Sequence, residues 1–259
     1  MNRFKQLFQT DKKLLSIYFT AGYPLIDDTI KIIKSLNDQP VDFIEIGLPF
    51  SDPIADGPTI ETSSKTALNN GMNTKLVFNQ LKNVRSITSI PILIMGYFNP
   101  ILQFGVEAFC KKCHQIGIDG LIIPDLPLEV YKTKYKHLFE RYQLKNIFLI
   151  TPTTSEKRIK EIDQISQDSF IYLVSSYGIT GQKFKANTEQ NTYLKKMYDL
   201  NLKSKQIVGF GIHNNTSFNQ ATTFQDGAII GSAFINYISI NGIEQIDQFI
   251  ESILTPQIN

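Results

Sequence analysis

The sequence predicts an α/β fold: a single closed (β/α)8 TIM barrel with a short extra helix at its N-terminus. Three observations carry that expectation. Eight short apolar runs recur along the chain, segments of helical periodicity lie between most of them, and 259 residues suit eight such units. Strands that alternate with helices pair in parallel through right-handed crossovers. The competing architecture is an open doubly wound sheet. Its dinucleotide-binding form carries a Gly-x-Gly-x-x-Gly turn after the first strand. The first turn here, Thr20-Ala-Gly22-Tyr-Pro24, lacks that pattern.

Taken in order, Met1–Thr10 reads as a short helix (Phe4, Leu7, Phe8) covering the bottom of the barrel. The strand-like runs are Leu14–Thr20, Val41–Ile46, Ile92–Tyr97, Gly120–Ile123, Ile147–Ile150, Phe170–Val174, Gln206–Phe210 and Gly227–Ile230. Apolar residues three and four apart predict helices over Ile26–Leu36, Lys75–Ser86, Phe104–Ile116, Glu129–Arg141, Ser155–Ile165, Thr192–Leu200 and Ile243–Leu254, with Thr216–Phe224 the weakest pattern. The longest break after a strand is Ser175–Glu189, polar and carrying Gly178 and Gly181. A long loop after a barrel strand lies at the catalytic face, where it can serve as a lid or be a variable surface loop. No linker or charge block divides the chain, so residues 1–259 read as one domain.

Composition narrows the function. A net charge of +2 with both signs interspersed leaves no basic stripe for nucleic acid. No apolar run is long enough to span a bilayer, and Met1–Phe8 lacks a secretory core, which points to the cytoplasm. Cys110 and Cys113 stand alone as a pair, whereas a structural zinc needs four ligands; two inert thiols near a buried helix face is the simpler reading, and no metal is expected. His114, His137 and His213 are scattered and read as surface or helix-end residues.

The stretch Asp42 to Pro58 is the most informative. Its apolar start predicts a buried strand, and Gly47, Pro49, Pro53, Gly57 and Pro58 then force a loop. Glu45 sits inside the apolar run, where an ionised group is costly without a partner. Asp56 lies at the far end of the loop. A strand-borne carboxylate facing a loop-borne one suits general acid–base work. Tyr97, Asp125 and Tyr172 also fall at or near strand ends, where the alternatives are core packing for the tyrosines and helix capping for Asp125. Asp52 reads equally as a group bonding loop amides. Glycines at three further strand ends, Gly178 and Gly181, Gly209 and Gly211, and Gly231 before Ser232, expose backbone amides. With a short helix over Ser232–Asn236 they predict a phosphate site that needs no lysine or arginine.

Together these residues resemble the tryptophan synthase alpha subunit family. The matching pieces are Tyr18-Phe-Thr-Ala-Gly-Tyr-Pro24, Glu45-Ile-Gly-Leu-Pro-Phe-Ser-Asp-Pro-Ile-Ala-Asp-Gly-Pro58, Asp119-Gly-Leu-Ile-Ile-Pro-Asp-Leu-Pro127, Gly178-Ile-Thr-Gly181, Gly209-Phe-Gly211 and Gly231-Ser232. The resemblance runs end to end. It implies a lyase of tryptophan biosynthesis that cleaves indole-3-glycerol phosphate, by a retro-aldol step, to indole and glyceraldehyde 3-phosphate. It further implies Glu45 as the acid–base group at indole C3 and the glycerol hydroxyl, Asp56 at the indole nitrogen and Tyr172 in support. Gly181, Gly211, Gly231 and Ser232 would cradle the phosphate, and Tyr18, Met95, Tyr97, Ile122, Leu149 and Phe210 would line the indole pocket. The family uses no cofactor of its own. It works with a pyridoxal-phosphate beta subunit in an alpha2beta2 tetramer, with Pro49–Ile54, including Asp52, at the contact. Where this chain has Tyr18, Met95 and Ser176, the family often has Phe, Leu and Arg. Alternatives are another phosphate-binding barrel, such as an isomerase or an indole-glycerol-phosphate synthase, or a non-catalytic allosteric barrel. The synthase relies on a strand-end lysine, and no lysine lies inside these runs. A plastid stroma remains the alternative compartment, since a composition rich in Ile, Asn and Lys suits an AT-rich genome.

Overall fold

The computed structural model describes residues 3–174 and 186–256. Eight parallel strands close into a barrel in sequence order: β1 (Leu14–Thr20), β2 (Phe43–Gly47), β3 (Ile92–Met95), β4 (Gly120–Ile122), β5 (Lys145–Ile150), β6 (Phe170–Val174), β7 (Lys205–Gly209) and β8 (Gly227–Ile230). Closure is made by β1 against β8, with Leu14 beside Gly227 and Ile17 beside Ile230. Strands covered on both faces are apolar nearly throughout, and all seven residues of β1 are buried.

Alternate residues of each strand face the barrel interior. In β2 these are Phe43, Glu45 and Gly47, and in β6 Phe170, Tyr172 and Val174. Phe43 and Phe170 meet at 5.3 Å between ring centroids in the bottom layer. The N-terminal helix Arg3–Leu7 pushes Phe4 edge-on against both, at 5.8 Å each, and so plugs this end as expected. Below it, Asp119 at the entry to β4 accepts Arg3 at 2.8 Å and Arg85 at 2.6 Å, and also the Ile92 amide. The floor is therefore tied by apolar packing and by a largely buried charge cluster. The catalytic face is left to the opposite end.

The helices differ from their sequence pattern in informative places. Phe104–Ile116 divides at Gly105, whose φ of +91° ends one helix (Phe98–Phe104) and admits the next (Val106–Ile116). Lys75–Ser86 is α-helical over Thr74–Gln80 and 3-10 over Leu81–Ser86. Glu129–Arg141 contains a π turn, Tyr131–Tyr135. Pro58–Asn69 is a full helix that hydrophobic periodicity does not announce, because its buried face is Ile60, Ser63, Ser64 and Ala67. Pro58 at its first position was the available signal. Of the candidate lid Ser175–Glu189, residues 175–185 lie outside the described residues; from Ala186 the chain is helical to Asp199. No helix among the described residues is long and apolar enough to cross a membrane.

Candidate active site

A cavity of about 260 Å3 opens at the C-terminal ends of the strands. Strand register builds its floor: Tyr18 on β1 lies beside Glu45 on β2, which lies beside Leu93 on β3. Tyr172 reaches the same layer from β6. Two glycines make this crowding possible. A Cβ at Gly47 would fall 2.1 Å from the Tyr18 hydroxyl, and one at Gly209 would fall 2.0 Å from the Tyr172 hydroxyl. These glycines are spaces into which the two phenols fit.

Glu45 is 1 % exposed, and neither carboxylate oxygen has a hydrogen-bond partner among the described residues. Burial, and secondarily the charge of Asp56, raises it from the ordinary 4.5 to about 8. Asp56 arrives from the loop after β2 and is 9 % exposed. Burial raises it to about 6, a hydrogen bond from Tyr97 works in the opposite direction, and Glu61 adds a smaller upward push. The Tyr97 hydroxyl also accepts the Ala55 amide at 2.9 Å, fixing the loop that carries Asp56. At neutral pH the pair is thus split: Glu45 holds its proton and Asp56 has lost its own. Burial also raises the phenols of Tyr18 and Tyr172, with the neighbouring carboxylates adding to the effect.

The other end of the cavity is made of backbone. Phe210 and Gly211 follow β7 with consecutive positive φ values of 71° and 77°. The helix Ser232–Asn241 starts directly after Gly231, with no side-chain cap and no acid in its first turn. Its first amides have no helical acceptor, and Ser232, Ala233 and Asn236 line the cavity. No lysine or arginine lines the cavity among the described residues. An anion there meets amide dipoles and the helix N-terminus.

The structure therefore brings Tyr18, Glu45, Asp56, Met95, Tyr172, Phe210, Gly211, Gly231 and Ser232 around one cavity. Gly181 lies outside the described residues. Tyr97 stands behind Asp56 rather than on the cavity wall. Ile122 is fully buried and Leu149 partly so; neither lines the cavity, to which β4 and β5 contribute no residue. Asp125 does not cap the helix that follows it; it accepts the Phe98 amide at 2.8 Å at the start of another. Asp52 and Pro49 stay on the outer loop, where Ser51 donates to Asp52. Ile60, Ile212, His213, Ile229, Ala233 and Asn236 line the cavity without having been singled out as site residues. The proximity of His213 to Gly211 in sequence was the only available sign. Cys110 and Cys113 are buried, and burial pushes the Cys110 thiol up to about 12 and the Cys113 thiol well above its ordinary range. No metal-holding cluster occurs among the described residues.

Comparison with known proteins agrees along the whole chain. A family model described as tryptophan synthase alpha chain matches residues 4–256. The tryptophan synthase alpha chain of Flavobacterium psychrophilum is 58% identical over 253 residues, covering 98% of this chain and 100% of that one. That of Christiangramia forsetii is 59% identical, covering 98% of each. Among solved structures, the tryptophan synthase alpha chain of Legionella pneumophila superposes with a TM-score of 0.87 at 30% identity, covering 98% and 96% of the two chains. A chain of the tryptophan synthase complex of Pyrococcus furiosus gives 0.83 at 30% identity, covering 95% and 99%.

Proposed function

The chain belongs to the tryptophan synthase alpha chain family, and from that membership we propose that Glu45 and Asp56 divide the proton transfers of its reaction. The protein is a lyase that cleaves indole-3-glycerol phosphate to indole and glyceraldehyde 3-phosphate in tryptophan biosynthesis. The observation that carries the assignment is the split pair: one buried carboxyl held neutral and one held ionised, facing the same cavity.

Cleavage needs the indole C3 protonated, so that the electrons of the breaking carbon–carbon bond are accepted by the ring. Neutral Glu45 supplies that proton, while ionised Asp56 attracts or takes the indole N–H proton. Glu45, now a carboxylate, removes the glycerol hydroxyl proton. The O–H electrons become the aldehyde π bond, the carbon–carbon bond breaks, its electrons restore the aromatic ring, and Asp56 gives back to the indole nitrogen whatever proton it took. Tyr172, beside Glu45 in the same layer, supports the reacting hydroxyl. The amides at Gly211, Gly231 and Ser232 hold the phosphate, and Gly181 joins them by resemblance alone. Tyr18, Met95 and Phe210 form the indole wall, with Tyr97, Ile122 and Leu149 around it. Proton transfers are enough to drive the carbon–carbon cleavage, so the reading assigns no cofactor to this chain. The synthase alternative would want a catalytic lysine, and none lines the cavity among the described residues.

The partner in this reading is a pyridoxal-phosphate beta subunit in an alpha2beta2 assembly. Support comes from the similarity to chains of tryptophan synthase complexes and from the loop bearing Pro49 and Asp52, where Ile54 is 65% exposed. The compartment is the cytoplasm, as suits the bacterial relatives. The test is indole release by the purified chain, with and without a beta subunit. Release that depends on Glu45 and Asp56 and rises with the partner is expected; no indole from either preparation would overturn the assignment.

A further inference from the structure

His213 stands two residues after Gly211, on the cavity wall beside the amides assigned to phosphate. Its position is fixed. The backbone amide donates to the Ser217 side chain at 2.9 Å, within a capping box that starts the helix Asn215–Thr222. The ring Nδ1 lies 3.0 Å from the Gly211 carbonyl oxygen.

That contact determines the tautomer. A carbonyl oxygen can only accept, so Nδ1 carries the hydrogen. A neutral imidazole has one N–H, which leaves Nε2 as a bare lone pair. A phosphate dianion offers only acceptors, so a lone pair facing it repels. Protonation of Nε2 converts the same atom into a charged donor, the stronger kind of hydrogen-bonding group. Backbone amides and a helix N-terminus supply partial charge at this end, and among the described lining residues no lysine or arginine adds a full one, so an imidazolium at His213 would strengthen the site.

We propose that His213 contacts the substrate phosphate as the imidazolium, so that binding of a phosphate monoester takes up a proton. The proposal rests on the phosphate site described above and adds a titrating residue to it. The groups that could compete for that proton are few. The helix Asn215–Thr222 carries no charged residue, and Ser232–Asn241 carries only Tyr237 as a titratable group. The final helix, Ile246–Leu254, carries Asp247 and Glu251, both exposed. On the cavity wall the titratable neighbours are Tyr18, Glu45, Asp56 and Tyr172. None of these is hydrogen-bonded to His213.

The experiment is calorimetric titration of the full chain with glycerol 3-phosphate at about pH 8, where a phosphate monoester is dianionic. Repeating it in buffers of different ionisation heat counts the protons exchanged. The variant is His213→Gln, which keeps an amide donor at the outer position but cannot carry the charge. The wild type is expected to take up protons on binding. His213→Gln should take up fewer protons than the wild type, the remainder belonging to Glu45 on the same cavity wall, and bind roughly tenfold more weakly, the scale of one charge-assisted hydrogen bond at an exposed position. In turnover, KM for indole-3-glycerol phosphate should rise with kcat nearly unchanged, since the phosphate contact is the same in ground and transition states. A structural residue would not move the proton count selectively. Gly211→Val separates the two readings. Lost binding in Gly211→Val with unchanged proton uptake and affinity in His213→Gln would overturn the role of His213 alone. Undiminished binding in Gly211→Val would overturn the phosphate site itself, and the role of His213 with it.

Discussion

Replacing Glu45 by Gln should inactivate the protein and stabilise it, and the two effects have one cause. The carboxyl is buried without a hydrogen-bond partner among the described residues, so the folded state holds its ionised form at a penalty. Its value rises from 4.5 to about 8, so between those limits the native chain keeps a proton that the unfolded chain has released. Stability therefore falls as pH rises through this window. At about 1.4 kcal/mol per pH unit, the penalty is on the order of 3 kcal/mol at pH 7 and 5 kcal/mol above pH 8. Gln has nearly the same shape and cannot ionise, so it removes the penalty. Urea unfolding of both proteins at about pH 5 and about pH 8 checks this. The difference should be small at the lower pH and several kcal/mol in favour of Glu45→Gln at the higher. Indole release should fall by roughly 10²–10⁴ or more in the same variant. Equal stability at both pH values, or near-normal turnover, would refute the reasoning, because a solvated or spectator carboxyl would behave that way.

Other consequences follow from the same geometry. The profile of kcat/KM against pH should be bell-shaped, falling below about 6 as Asp56 gains a proton and above about 8 as Glu45 loses one. Asp56→Asn should abolish most cleavage while retaining the binding of glycerol 3-phosphate, read by titration; lost binding with unchanged turnover of bound substrate would make Asp56 a binding residue. Tyr97→Phe removes the hydrogen bond that restrains Asp56, so the acid limb of the profile should move to higher pH. Gly209→Ala forces a methyl against the Tyr172 hydroxyl and should destabilise by about 1–3 kcal/mol in urea, with reduced kcat. A cognate beta subunit should raise indole formation, and Ile54→Glu should weaken that stimulation while leaving the isolated chain's activity unchanged.

The barrel was legible because its causes are local. Strands buried on both faces must be apolar and short, and the eight runs stand out for that reason; three of them, Leu14–Thr20, Phe170–Val174 and Gly227–Ile230, match the observed strands residue for residue. Glu45 was conspicuous as a carboxylate within such a run, and Asp56 as its counterpart across a glycine- and proline-rich loop. The helix Pro58–Asn69 escaped because its buried face is small and partly polar; Ser63 there bonds to Thr20 at 2.6 Å, a contact that no periodicity reports. What only the tertiary structure decided is convergence. Barrel closure and strand register set Tyr18 beside Glu45, put Tyr97 behind Asp56, kept Ile122 and Leu149 off the cavity wall and sent Asp125 to a different helix. It also turned His213 from a scattered histidine into a wall residue of the cavity. Sequence determines which residues can be buried and where the backbone must turn, since both are properties of neighbouring residues. Which side chains then share a cavity, and how far their carboxyls shift, depends on distances between strands remote in the chain, and those distances exist only once the barrel has closed.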